Sequence, residues 1–474
     1  MDRKTKILAT LGPASDSPKV MRGLIQEGVD AFRLNLAHGT LEEHETRVRF
    51  LRSQEIKKHV AIVADIRGSK VRVGVLPKEG LLLEKGSKVV IDTSKSKYEQ
   101  ESIPIPFPLH EARVAKGSTV FLDDGTIVLE VIKISSPKIV CEVVREGRLF
   151  SRKGVNIPGA MLHPSGVPAK DKKDLLFGKK LGVDYISLSF LTSAKDVEHA
   201  RLLLSDKGGS LSRKHAGRTK LIAKIESPLA LEHFDEIVQA VDAVMIARGD
   251  LGLEIPIEEV PLKQKEIIEK CHMHGVPVIV ATQMLASMIH TLVPTRAEVS
   301  DVANAVFDSA DTLMLSGETA SGLYPVESTR MMRRIIEVSE ARSPHDLFRG
   351  LPEHLAVNVA VAEAAVETAR DVGAQYIIVG TESGVSARAV AKFRPSVPII
   401  AVTEHEYIAR QLSLVWGVRT LCFPQERGIE SSFHSAVSRL RKEKQIAKGD
   451  TVVYVSGIQF GKIGGTNTMR VVTV

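Results

Sequence analysis

The segment LIAKIES, Leu221 to Ser227, sets Lys224 and Glu226 two residues apart in an otherwise apolar run. On a strand, residues two apart share a face, and burying either charge alone costs several kcal/mol. The two side chains therefore either neutralise each other as a structural ion pair or meet a ligand at the strand's end. Polar residues close other apolar runs in the same way: Arg33 and Asn35 in RLN, Asp65 and Arg67 in ADIRG, Asp250 in ARGD, Thr282 and Gln283 in ATQ, Ser316 and Glu318 in SGE. Glu226 and Asp250 offer the oxygen ligands that a hard divalent cation shares with phosphate and water. Arg33, Arg72 and Lys224 suit the oxygens of a phosphoryl group, whose transfer depends on positioning and charge neutralisation. ARGDLG adds backbone amides suited to a carboxylate. Together these residues point to phosphoryl or carboxylate chemistry with magnesium.

For such a set to converge, the strand ends must open on one pocket. Eight β-branched runs, TKILATLG, VDAFRLNL, HVAIVADI, VDYISLSF, TKLIAKIE, VDAVMIAR, VPVIVATQ and ADTLMLSG, alternate with helical segments such as Leu41 to Lys57, Lys195 to Leu204, Leu262 to His274 and Arg296 to Phe307. Eight βα units predict a closed (β/α)8 TIM barrel, with active-site residues at the carboxyl ends of its strands. Between the third and fourth runs the pattern changes to short strands and turns, as in GSKVVIDT, STVFLDDGTIVLEVIKI and PKIVCEVVREGRLFS. This predicts a small all-β lid domain inserted in a barrel loop, entered through RGSKVRVG and left through GVNIPG and HPSGVPAKD, glycine- and proline-bearing hinges. AQYIIVGT, VPIIAVT, GVRTLCF and DTVVYVSG then predict a C-terminal doubly wound α/β domain. The expected division is 1–69 with 167–342 for the barrel, 70–166 for the lid and 343–474 for the C-terminal domain.

The 474-residue chain is 43% hydrophobic and 26% charged, ordinary globular values. Its excess of basic over acidic residues, 64 − 57 = +7, is scattered, and six Tyr and one Trp give few platforms for stacking bases. A basic cleft for a phosphorylated anion accounts for the excess, and no nucleic-acid partner is expected. Cys141, Cys271 and Cys422 lie far apart without a CxxC pair, as expected of buried thiols in a reducing compartment. MDRKTKILATLGPAS reaches glycine and proline before any signal-length apolar segment, and no run of about 20 apolar residues follows. A soluble cytoplasmic protein with no membrane partner is expected.

TKILATLGPAS, RLNLAHG, LIAKIES, ARGDLG, ATQML, PTRAEVSDVANAV, MLSGETASGLYP and TNTMRVV, in this order, resemble the pyruvate kinase family over nearly the whole chain. The resemblance implies transfer of the phosphoryl group of phosphoenolpyruvate to ADP, with magnesium or manganese, in a barrel with a β lid and a C-terminal α/β domain. It implies that Glu226 and Asp250 hold the metal, that Gly249 and Asp250 offer main-chain amides to the substrate carboxylate, and that Lys224 neutralises the phosphoryl group and the enolate. It places Arg33 on the moving phosphate, Asn35, His38 and Arg72 on the nucleotide side, and Thr282 in the relay of a proton to enolpyruvate. For His38 a plain surface histidine at a helix start is the alternative. A homotetramer is implied by resemblance alone.

Two departures stand out. The family pattern LNFSHG and DTKGPEIR, whose asparagine, serine and aspartate side chains and a main-chain oxygen hold potassium, reads LNLAHG and DIRGSKVR here. The site of Asn35, Asp65 and the Ile66 carbonyl thus loses a hydroxyl at Ala37, and Lys70 stands in place of a glutamate. A tethered ammonium carries the charge of potassium without capturing an ion, so catalysis without potassium is expected; the alternative is that Lys70 is a solvated hinge residue and potassium still binds through the remaining oxygens. Ala286 also replaces a common glutamate, and nothing in the sequence explains it. In GTESGVSARAVAKFRP, Thr381, Ser383, Gly384 and Ser386 form a strand-to-helix turn that can cap the helix or bind phosphate. The family resemblance implies a phosphorylated allosteric effector at this turn. A catalytically silent relative that senses phosphoenolpyruvate or a sugar phosphate, and a magnesium-dependent lyase or aldolase on the same barrel, are the competing functions.

Overall fold

The structure, a computed structural model, describes residues 3–53, 56, 58–68, 70–109, 112–160, 169–205, 219–342, 356–423, 429–457 and 465–474. The predicted hinge exit at 161–168 and the start of the C-terminal domain at 343–355 lie outside the described residues. Strands Lys6–Leu11, Ala31–Asn35, Ala61–Asp65, Tyr185–Leu188, Lys220–Ile225, Ala243–Ala247, Val278–Ala281 and Thr312–Leu315 are the eight expected runs, and they close into one parallel barrel. Each is covered on both faces, which is why each reads as a nearly continuous apolar run. Along the fifth strand, Leu221, Ala223 and Ile225 pack outward against the helical ring. Ile222 turns inward, among Leu8, Ala31, Val63, Tyr185, Met245, Ile279 and Met314. The alternation carries Lys220 and Lys224 inward with Ile222, one at each end of the strand.

Helices between strands start where their sequences cap them. Thr40 with Glu43 and Thr295 with Glu298 form reciprocal capping boxes. The helix expected over Leu41 to Lys57 ends at Leu51. There Ser53 N–H turns back to the Phe50 carbonyl, and Arg52 is drawn toward the Val60 carbonyl and Asp184 at the barrel base.

The inserted segment folds into a six-stranded and a two-stranded sheet around its own core, including Ile91, Ile103, Leu129, Cys141 and Val143. FLDDGT forms a hairpin tip in which Asp123, Asp124 and Gly125 all adopt left-handed backbone conformations. The C-terminal sheet has five strands, with helices on both faces. Its last strand, Thr466–Thr473, runs antiparallel at an edge and escaped the strand count made from the sequence. Largely exposed, it carries little of the apolar signal that marks a buried strand. Cys141 and Cys271 are buried, Cys422 half-buried, and all three are free thiols. Among the described residues no helix is long and apolar enough to cross a membrane.

The C-terminal domain stops the base of the barrel. Leu414 joins the barrel's inner apolar layer. Around it, Lys6 Nζ donates to the Val418 carbonyl at 2.7 Å, Tyr185 Oη to Gln411 at 2.8 Å and Thr312 Oγ1 to Leu414 at 3.0 Å. Trimming this plug leaves a cavity that the ring of strands cannot close. Leu414→Ala is expected to lower unfolding stability by about 2–5 kcal/mol, read from the midpoint of urea denaturation with the slope unchanged.

Candidate active site

At the opposite mouth the strand ends bring the charged residues together. Lys224 Nζ lies 2.7 Å from Glu226 Oε1 and 3.5 Å from Asp65 Oδ1, and it donates to Ser189 Oγ at 2.9 Å. Asp65 is in turn held by Arg33, whose Nε donates to Oδ2 at 2.7 Å, and by the Ser187 hydroxyl at 2.8 Å. Burial alone would pull the Lys224 ammonium down, but Asp65 and Glu226 outweigh it and hold the group above the usual lysine range. Lys224 is therefore a permanent positive charge and not a proton carrier near neutral pH. For Asp65, burial pushes the carboxyl up while Lys224 and Arg33 pull it below its ordinary value.

Glu226 is 1% exposed, and its Oε2 accepts from the Phe190 amide at 2.7 Å. Its Oε1 is buried and faces the Lys224 ammonium, its ion-pair partner. Burial and the charge of Asp250 push the Glu226 carboxyl up against the pull of Lys224. Two carboxylates close enough for the charge of one to raise the other, Asp250 and Glu226, offer the oxygen donors that a divalent cation takes. Among the described residues no three His, Cys, Asp or Glu side chains gather as a metal cage. This donor set suits magnesium or manganese completed by substrate oxygens and water.

Lys70 reaches across this mouth. Its Nζ donates to Asp250 Oδ1 at 2.8 Å and to Asp124 Oδ1, at the lid's hairpin tip, at 3.0 Å. Burial opposes its charge, but Asp250 and Asp124 raise it above the ordinary lysine value. The other residues of the expected monovalent-cation site are engaged locally. Asn35 Oδ1 accepts from the Ala37 amide at 3.1 Å, and the Ile66 carbonyl accepts from Ser189 Oγ at 2.9 Å.

Thr282 has a φ of 70° and Gln283 one of 57°, and Phe190 at the end of the fourth strand has 54°. Left-handed backbone at a β-branched threonine is strained. Here it aims Thr282 Oγ1 to accept from the Gly249 amide at 2.8 Å and donate to the Ala281 carbonyl at 2.6 Å. His38 is exposed at the head of the loop before the second helix. Arg72 lies in the lid with its Nη1 on the Arg152 carbonyl at 3.0 Å. Far from this mouth, Thr381 Oγ1 accepts from the Gly384 amide at 3.0 Å, and Ser386 Oγ lies 2.5 Å from Thr466 Oγ1. Ser383 shares that turn.

Several positioning residues went unnoticed in the sequence. Ser187 and Ser189, inside VDYISLSF, orient Asp65 and Lys224. Arg248 binds both oxygens of Asp301 at 2.7 Å and the Thr282 carbonyl at 2.8 Å, tying the ARGD turn to its neighbours. Both signals lay in quoted motifs, where small hydroxyls and an arginine beside the more suggestive aspartate drew no separate reading.

A closed parallel barrel with two carboxylates and a fixed lysine at its carboxyl-end mouth is the arrangement of barrel enzymes that stabilise anionic oxygens. Family models narrow this, "Pyruvate kinase, barrel domain" matching residues 2–329 and "Pyruvate kinase, alpha/beta domain" residues 359–472. A pyruvate kinase of Agrobacterium vitis is 42% identical over 100% of this chain and 97% of its own. One of Thermococcus litoralis is 39% identical over 99% and 98%. The crystal structure of a pyruvate kinase from Cryptosporidium parvum superposes with a TM-score of 0.91 at 36% identity, covering 99% of this chain and 96% of that one. The chain belongs to the pyruvate kinase family.

Asp65 offsets two cations at once, so Asp65→Asn leaves Arg33 and Lys224 short of counter-charge. The variant is expected to lose about 3–5 kcal/mol of stability at pH 7. Because the folded carboxyl titrates below its unfolded value, its contribution is full above the ordinary carboxylate pKa and is lost as pH falls through the folded one. The gap between wild type and variant in urea titrations should therefore close on acidification from pH 5 downward.

Proposed function

We propose that the protein transfers the phosphoryl group of phosphoenolpyruvate to ADP, with magnesium or manganese at Glu226 and Asp250 and without a potassium requirement. The observation that carries this is the fixed Lys224 ammonium paired with the buried Glu226 carboxylate, within a chain similar to pyruvate kinases from end to end. The metal would supply charge neutralisation to phosphate and enolate oxygens. Arg33 and Lys224, aligned by Asp65 and Ser189, hold the phosphoryl group while its bond to the enol oxygen breaks and a bond to the terminal phosphate of ADP forms. The released enolate rests against Lys224, which stays protonated and stabilises it electrostatically. Thr282, held in its strained turn, delivers a proton toward the methylene carbon to give pyruvate, through water if needed. The Asp250 amide receives the carboxylate, joined by the Gly249 amide once it exchanges its bond to Thr282 Oγ1 for the substrate, and Asn35, His38 and Arg72 face the nucleotide under the lid.

Independence of potassium is supported by Lys70, whose side chain is 12% exposed and whose ammonium bridges Asp250 and Asp124. It is supported too by the engaged oxygens of Asn35 and Ile66 and by the methyl of Ala37. A homotetramer, a phosphorylated effector at 381–386, a cytoplasmic location and the three-domain division at 69/70, 166/167 and 342/343 complete the proposal. These rest on the resemblance and the sequence pattern.

Pyruvate release from phosphoenolpyruvate and ADP with magnesium in potassium-free buffer should be full, and added potassium should leave it unchanged. No release in either buffer would favour a silent sensor, while release only on addition would retain the reaction and discard the role of Lys70. Lys224→Met should keep substrate affinity by calorimetry yet cut kcat by about 10³-fold or more; near-normal turnover would remove Lys224 from the chemistry. Lys70→Glu with Ala37→Ser should make turnover rise with potassium.

A further inference from the structure

Loop 36–40, between strand Ala31–Asn35 and helix Leu41–Leu51, carries His38 close to Asn35. Beyond the buried Leu36 its side chains are half-buried at Ala37 and exposed from His38 to Thr40, so its shape rests on what holds its backbone. The Leu36 carbonyl accepts from Arg67 Nε at 2.6 Å, and the His38 carbonyl accepts from His44 Nε2 at 2.9 Å. His44 is buried and is held in turn by the buried Arg47, whose Nη1 donates to His44 Nδ1 at 3.2 Å. Arg47 closes the chain on Asp16, in the loop after the first strand, with Nε to Oδ1 at 2.5 Å and Nη2 to Oδ2 at 2.9 Å. A carbonyl only accepts and a guanidinium only donates, so the imidazole is fixed as the neutral tautomer with its proton on Nε2. Burial, joined by the Arg47 charge, holds it below the ordinary histidine value against the pull of the His38 carbonyl.

Helix Leu41–Leu51 does not need this chain in order to start, since the capping box of Thr40 and Glu43 already serves its N-terminus. The chain acts outside the helix, on a carbonyl two residues before the cap. A buried histidine and a buried arginine directed at one carbonyl, where apolar side chains would pack at lower cost, mark a backbone position whose placement matters. We propose that His44, oriented by Arg47 and Asp16, positions the backbone of His38 and so sets the affinity of this loop for ADP without touching the nucleotide. The inference rests on the proposal that Asn35 and His38 face the nucleotide. The turn has little slack: Gly39 has a φ of 78°, and a Cβ there would lie 2.7 Å from Glu43 Oε2 and 3.6 Å from His44 Nε2. A loop fixed in this way presents its ligand-facing groups without an ordering cost at the moment of binding.

The test is calorimetric titration of the full chain with ADP in magnesium buffer, alongside steady-state kinetics, for His44→Phe, His44→Gln, Asp16→Asn and, as a control, His38→Ala. A glutamine amide can donate where Nε2 stands, whereas phenylalanine fills the space without a donor. His44→Phe should weaken ADP binding and raise KM for ADP about tenfold, with kcat and KM for phosphoenolpyruvate within about twofold of wild type. His44→Gln should recover most of the affinity. Asp16→Asn, changed at the exposed end of the chain, should show a smaller loss of the same kind, and it still answers if His44→Phe misfolds. Unchanged ADP affinity in His44→Phe and Asp16→Asn while His38→Ala weakens it overturns the positioning role alone. Equal losses in the two His44 variants would reduce His44 to packing and count against it as well. Unchanged affinity in all four variants overturns the nucleotide reading of the loop and this inference with it.

Discussion

A charge inside a closed barrel meets solvent only at the two mouths, and everything around Lys224 answers to that constraint. Its ammonium is stable there because Asp65, two strands away around the ring, and Glu226, just beyond its own strand, set two negative charges against it. Asp65 in turn needs Arg33 and Ser187. Removing one member leaves the others buried and unbalanced, the costly situation for ionic groups in a low dielectric. The network thus fixes the geometry of the third, fourth and fifth strand ends before any ligand arrives, which is the preorganisation that phosphoryl transfer requires.

The barrel solves the opposite problem at its other end. The catalytic mouth keeps the charges of Glu226 and Asp250 near one another and holds Thr282 and Gln283 in strained backbone. The base instead ties Lys6, Tyr185 and Thr312 to carbonyls from the C-terminal domain and packs Arg394 between Asp311 and the Trp416 ring. Stability gathered at the base offsets strain kept at the mouth, as is usual for this architecture. Lid and barrel meet through polar links, Lys70 with Asp250 at 2.8 Å and Asn156 with Glu254 at 2.7 Å, and such links can part without exposing an apolar core.

Much of this was legible in the chain. The eight barrel strands are buried on both faces, so their apolar runs are unbroken, and Lys224, Glu226 and Asp250 stood out because charge is rare in such runs. What stayed hidden depended on tertiary partners. Nothing local tells that Ser189 orients a lysine on the next strand, that Arg248 reaches Asp301, or that the ammonium of Lys70 spans two domains. The edge strand Thr466–Thr473 was missed because exposure removes the pattern that betrays a strand, and the early end of the helix at Leu51 because Arg52 is captured by a residue far along the chain.

The plug at Leu414 also bears on how the protein emerges from the ribosome. The last barrel strand ends at Leu315, so the residue that fills the base is synthesised 414 − 315 = 99 positions later. During that interval a nascent barrel has all its strands but an open floor, with Lys6, Tyr185 and Thr312 hydrated in place of bonded to their eventual carbonyls. Water can serve these groups and cannot replace Leu414, so the ring of strands is complete early and becomes dry only when the C-terminal domain has been made. The barrel of this chain is thus finished by a later domain, and its maturation is tied to the pace of translation well downstream of its own sequence.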